Sequence, residues 1–148
     1  MTTEPSGTML KFIPIPDPFL IPERLVNLIS EDDRDWPVSF FYRSGDLMKV
    51  QPGWVLVAFV DPDKSIRGFF WGRADFEAKK FFVIALAVDE EFRGIGLLGE
   101  VREYITRKIL KTHALKGIMF STTRPEIFER WGANRSQQVL MEVPAWAE

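Results

Sequence analysis

The chain of 148 residues contains no cysteine. It therefore offers no disulfide framework, no thiolate metal site and no cysteine nucleophile. Its single histidine, His113, rules out a multi-histidine metal centre and any mechanism that needs two imidazoles. No apolar run approaches the roughly 18 residues of a membrane-spanning helix, and the N-terminus lacks the basic and apolar regions of a signal peptide. A cytoplasmic protein with no membrane partner is the simplest expectation. Net charge is also scarce: 19 basic residues against 21 acidic ones leave -2, without the basic excess of a nucleic-acid binder.

What is present suits one domain, 1–148, with 1–7 as a loose tail. Hydrophobic residues make up 46% and charged residues 27%, a balance that favours a packed core over disorder.

The periodicity predicts a first strand over residues 9–15 and a helix starting at Pro22, with Leu25, Leu28 and Ile29 on its apolar face. That helix should end between Glu31 and Asp35. A second helical or irregular stretch spans 36–50, and Pro52-Gly53 breaks it. Residues 54–60 read as a buried strand, Asp61-Pro62-Asp63-Lys64 as a turn, and 66–73 and 81–88 as two further strands. Leu98, Val101, Ile105 and Ile109 then mark a helix that stops before Gly117. A strand over 117–122, a short helix over 125–131 and a last strand over 139–143 complete the order. The expected class is α/β (α+β), with a mixed, mostly antiparallel central sheet flanked by helices.

Residues 81–99 carry the chemical signal. A buried strand ends at Val88, and Arg93-Gly94-Ile95-Gly96 opens a long helix. Unpaired N–H groups in a helix's first turn, with the aligned peptide dipoles, favour an anion there. Glycine at 94 and 96 lets the backbone approach a phosphate closely. The chain has no Walker-type G-x-x-x-x-G-K-[ST], and the strands before Gly94 look antiparallel, against a Rossmann unit. On the residues alone, a glycine-shaped turn without a ligand remains the alternative.

The segment Val88-Asp89-Glu90-Glu91-Phe92-Arg93-Gly94-Ile95-Gly96 resembles the signature of the GNAT family of N-acetyltransferases. Phe128-Glu129-Arg130-Trp131-Gly132-Ala133 is similar to that family's terminal helix, and the order of elements matches over nearly the whole chain. The resemblance implies acetyl-CoA as acyl donor. The backbone of Leu86, Ala87 and Val88 would pair with the pantetheine amides. The N–H groups of Arg93, Gly94, Ile95, Gly96, Leu97 and Leu98 would hold the pyrophosphate, and Ser121 would face coenzyme A from the fifth strand.

The sequence departs from the family pattern in three places. Leu98 stands where a third small residue is usual. Phe128 replaces the tyrosine that reprotonates the coenzyme A thiolate in many members. Phe82 and Val83 occupy the stretch where many members place a glutamate base. The catalytic residues are therefore left unassigned.

Other proton-transfer candidates read mostly as structure. His113 lies past the long helix among lysines and suits a solvated loop. Tyr42, in the region that forms the family's acceptor pocket, suits packing. Glu31, Asp32, Asp33 and Asp35 either draw a cationic amine to the acceptor site or form a solvated loop. Phe69, Phe70 and Trp71 read as core and sheet surface.

Two functions remain open. One is acetyl transfer to a primary amine on a small molecule or peptide, by direct attack. The other is a non-catalytic structural or interaction module on the same fold, as encoded in some bacteriophages, with its coenzyme A cleft retained or degenerate. The sequence names neither the acceptor nor the oligomeric state, and it leaves room for a homodimer.

Overall fold

The computed structural model describes residues 9–29, 34, 36–93, 96–120 and 129. Five strands form one sheet in sequence order: β1 (Lys11–Pro14), β2 (Trp54–Val60), β3 (Ile66–Asp75), β4 (Lys80–Val88) and β5 (Gly117–Phe120). Neighbours from β1 to β4 run antiparallel, and β4 pairs with β5 in parallel. This mixed sheet, flanked by helices, is the expected α+β class. Among the described residues, no helix is long and apolar enough to cross a membrane.

The β2–β3 connection shows why the chain folds here. Asp61 accepts from the Ser65 amide through Oδ1 at 2.9 Å, while Lys64 N–H donates to the Asp61 carbonyl at 2.9 Å. The two polar contacts close the turn that Asp-Pro-Asp-Lys foretold.

The helix after Pro22 is shorter than expected. α1 spans only Glu23–Val26, with Leu25 and Val26 fully buried and Leu28 exposed. The chain then tightens into turns, with Leu28 N–H on the Leu25 carbonyl and Ile29 N–H on the Val26 carbonyl. Arg34 donates from Nε to the Ile29 carbonyl at 3.2 Å and from Nη1 to the Trp36 carbonyl at 2.6 Å. A side chain thus meets an oxygen that a longer helix would have paired internally. The next stretch, helical or irregular by its sequence, is a helix, α2 (Val38–Val50), which follows Pro37.

The long helix starts as α3 (Leu97–Tyr104), widens into a π-helix over Ile105–Leu110, and closes with α4 (Lys111–His113). Lys111 N–H accordingly bonds five residues back, to the Thr106 carbonyl. Its buried stripe is Leu97, Val101, Ile105 and Ile109; Leu98, assigned to that stripe from sequence, is only half-buried.

The sheet separates two cores. On one face Val57, Phe59, Phe70 and Phe81 pack against the stripe of the long helix. On the other, Leu56, Ala58, Phe69, Trp71, Ala85 and Ala87 meet Leu25, Val26, Trp36 and Phe41 of the α1–α2 side. Burying a ring such as Phe41 stabilises by about 1.5–3 kcal/mol. The expected helix over 125–131 and strand over 139–143 lie outside the described residues, except Glu129, which is helical.

Candidate active site

The site begins with an irregularity in β4. Trp71 pairs with Ala85, but the next β3 residue, Gly72, pairs with Val83, so Ile84 is an extra residue with no partner in β3. The bulge turns Ile84 and Ala85 together toward the α1–α2 face, where both join the core. Gly72 permits it: a Cβ there would lie 2.3 Å from the Phe82 carbonyl oxygen and 2.7 Å from the Phe81 ring.

Beyond the bulge, β4 has one paired edge. Its parallel ladder with β5 runs from Lys80↔Gly117 to Val83↔Phe120, and among the described residues no strand pairs with 84–88 on that side. On the β3 side, Asp89 N–H donates to the Arg67 carbonyl at 2.8 Å. Antiparallel pairs alternate between bonded and non-bonded. Ala85, Ala87 and Asp89 therefore direct their peptide groups to β3, whereas Leu86 and Val88 direct theirs to the open edge. Of the three strand residues singled out from sequence, Ala87 is engaged by Phe69 across the ladder. Leu86 and Val88 remain to receive an extended ligand.

A turn of 3-10 helix over Glu90–Phe92 carries the chain from this edge toward α3, with Phe92 N–H on the Asp89 carbonyl at 3.0 Å and Arg93 N–H on the Glu90 carbonyl at 3.1 Å. Arg93 is exposed and its Nε donates to the Val88 carbonyl at 3.2 Å. Gly94 and Ile95 lie outside the described residues. Gly96 has φ 87° and ψ 9°, the left-handed region that suits glycine, and stands directly before Leu97 without a side-chain cap. The first helical bond goes from Glu100 N–H to the Gly96 carbonyl at 3.2 Å. The N–H groups of Leu97, Leu98 and Gly99 precede it, so none has an intrahelical acceptor. Leu98 is half-buried beside Leu97, which faces the core.

A charge cluster that sequence reasoning missed braces this turn. Arg24 of α1 is ion-paired with Asp89. Arg67 of β3 lies 2.7 Å from Asp61, 3.6 Å from Asp89 and 3.7 Å from Glu91, with its guanidinium 5.8 Å from the centre of the Phe92 ring. The Arg67 contact and the Ser65 amide hold the Asp61 carboxyl below its ordinary pKa, and Arg67 itself is raised by the same contact. These residues lie far apart in sequence without a motif, which is why no local signal announced them.

The remaining candidates are placed as follows. Tyr42 donates its hydroxyl to the Ile21 carbonyl at 2.7 Å and stacks on Phe19, with ring centres 5.3 Å apart. Burial, and secondarily Glu23, raise its pKa, so it fits the packing role. His113 is exposed in the last helical turn, 5.8 Å ring to ring from Phe76 near the β3–β4 turn, at the opposite end of β4 from Val88. Phe82 is 37% exposed, so the strand's outward position carries a ring where a base would need a carboxylate. Phe69, Phe70 and Trp71 are fully buried, as expected of core. Ser121, Phe128 and the acidic residues Glu31, Asp32, Asp33 and Asp35 lie outside the described residues.

No protein-family model matches the sequence, and no curated protein matches it. Solved structures do match the fold. One is a possible acetyltransferase from Clostridium difficile 630, with TM-score 0.70 at 9% identity, covering 94% of this chain and 99% of that one. Another, from Xanthomonas campestris pv. campestris and described as belonging to the GNAT family, has TM-score 0.62 at 18% identity over 93% of this chain and 95% of its own. A third is AAC(6')-Iy in complex with the bisubstrate analogue CoA-S-monomethyl-acetylneamine, with TM-score 0.67 at 11% identity over 93% and 99% of the two chains. With its bulged fourth strand and parallel fifth, the chain has the fold of the GNAT acetyltransferases.

Proposed function

We propose that the chain is an acetyl-CoA-dependent N-acetyltransferase acting on a primary amine. The observation that carries this reading is the open edge of β4, where Leu86 and Val88 present peptide groups and which leads through Arg93 to Gly96 and the first turn of α3. An extended chain with two amides fits the first part, and a diphosphate fits the second.

In the reaction so read, the amine nitrogen attacks the thioester carbonyl and a C–N bond forms. The Val88 N–H stabilises the oxygen that becomes negative. The C–S bond then breaks, the thiolate takes a proton from solvent, and the nitrogen releases one to solvent. Holding donor and acceptor in line accounts for much of the rate. The acceptor is a small molecule or a peptide, and the donor-binding set is Leu86, Val88, Arg93, Gly94, Ile95, Gly96, Leu97, Leu98 and Ser121, with Arg93, whose N–H is already on the Glu90 carbonyl, entering through its exposed side chain.

The non-catalytic reading has one observation in its favour. Beside the bulge, Trp71 is packed between Trp36 and Trp54 and against Phe40 and Phe41, with ring centres 5.1–5.9 Å away, so aromatic side chains fill the sheet face there.

Thermal unfolding with coenzyme A separates the claims. A ligand at 100 times its dissociation constant stabilises by about 2.7 kcal/mol, so wild type should melt higher. Gly96→Asp, which adds a charge and a side chain in the turn, should remain folded and lose the shift. Equal shifts in both would mean another binding loop, and no shift in wild type would end the coenzyme reading. Thiol release from acetyl-CoA with polyamines, aminoglycosides and lysine peptides should then increase from pH 6 to 9, as the acceptor amine loses its proton. Binding without turnover of any acceptor would favour the interaction module.

A further inference from the structure

We infer that Asp89 and Arg67 are positioning residues that set the coenzyme-binding turn before any ligand arrives, an inference that rests on the proposed coenzyme site. Asp89 is the hinge residue, directly after Val88 and directly before the 3-10 turn. Its main chain is fixed on both sides, with the N–H on the Arg67 carbonyl and the carbonyl accepting from Phe92. Its carboxylate, only 14% exposed, sits between Arg24 of α1 and Arg67 of β3. Arg67 in turn spans the turn, touching Glu91 and lying over Phe92, while its Nε is anchored on Asp61 at the far side.

The composition of the cluster decides what it does. Two guanidiniums face three carboxylates, Asp61, Asp89 and Glu91, so the group as a whole is not a cationic cradle for phosphate. Both arginines are committed to protein carboxylates. Their effect on the ligand must therefore pass through the backbone they hold, from Val88 to Arg93. A turn that is already ordered loses less freedom on binding, and the affinity rises accordingly. The cluster also joins three segments distant in sequence, α1, the β2–β3 turn and the β4–α3 connection, around one hinge.

Two measurements test this on the full chain: titration calorimetry of coenzyme A well below the unfolding transition, and amide exchange of the ligand-free protein. Asp89→Asn keeps the shape of the side chain and removes its charge. It should weaken coenzyme A about tenfold, which is about 1.4 kcal/mol. It should also speed exchange of the Phe92 and Arg93 amides about tenfold, while the core strand β2 keeps its protection. Arg67→Lys, which keeps the charge and loses the planar fork, should weaken coenzyme A about threefold. Affinity within twofold of wild type in Asp89→Asn, whether or not its melting temperature falls, would make the cluster structural only and overturn the inference. Should wild type itself bind no coenzyme A, the proposed function fails separately. The positioning claim is then decided by exchange, and unchanged protection of Phe92 and Arg93 in Asp89→Asn overturns it.

Discussion

Arg93 donates from Nε to the main-chain oxygen of Val88, five residues back, closing the first part of the connection between β4 and α3. The bond ties the end of the open strand edge to the start of the glycine turn. Replacing Arg93 by leucine should weaken coenzyme A three- to tenfold. Because the bond is exposed, stability should change by less than about 1 kcal/mol. Calorimetry and urea unfolding give the two numbers, and a large stability loss with intact affinity would contradict the assignment.

Gly72 supports the bulge. In Gly72→Ala the new methyl meets the Phe82 carbonyl oxygen at 2.3 Å, so the strand has to shift. Overpacking of this kind costs about 1–3 kcal/mol. Chemical denaturation checks that cost. A neutral effect on stability would mean that β3 and β4 adjust freely at this point.

Asp61 gives a pH signature. Its folded pKa lies below the ordinary 3.8, because Arg67 and the Ser65 amide favour the charged form. Its contribution is therefore full above about pH 4–5 and is lost as pH falls through the lowered folded value. The stability difference between wild type and Asp61→Asn should be constant from pH 7 to 5 and shrink below about pH 4. A difference that persists unchanged to pH 2 would show that the carboxylate charge is not its source.

Tyr42→Phe separates packing from catalysis. The Ile21 carbonyl loses its donor, at a cost of about 1 kcal/mol. Since the phenol is held protonated by burial, its contribution persists below pH 10.0 and fades above it. Turnover per folded molecule should be unchanged; a hundredfold loss would place the hydroxyl in the chemistry.

Much of this fold could be read from the chain because the informative signals were local. Trp54–Val60 matches the expected strand residue for residue, and β3 and β4 differ from expectation only at their ends. The glycine turn was visible for the same reason, and Gly96 does adopt the conformation that glycine permits. Tertiary contacts account for the misses. Beyond Val26 the chain tightens into turns, and Arg34 takes the Ile29 carbonyl that a longer helix would have paired, so the apolar spacing of Leu25, Leu28 and Ile29 overstated its length. The bulge at Ile84 shows only when two strands are set side by side, and it decides that Leu86 and Val88, rather than Ala87, face the open edge. Arg24, Arg67 and Asp89 meet from three segments, and no spacing rule connects them.

The buried stripe of the long helix advances in fours: Leu97, Val101, Ile105, Ile109. In ordinary helical geometry four residues overrun one turn by ~40°. Three such steps would carry the stripe ~120° around the axis and leave Ile109 facing water. The wider turn over Ile105–Leu110 takes back part of that drift at the last of the three steps, because each circuit there takes up more residues. Sequence period and backbone winding thus work like two scales of a vernier. All four side chains stay buried against the sheet because the coil slackens before the count has run too far ahead.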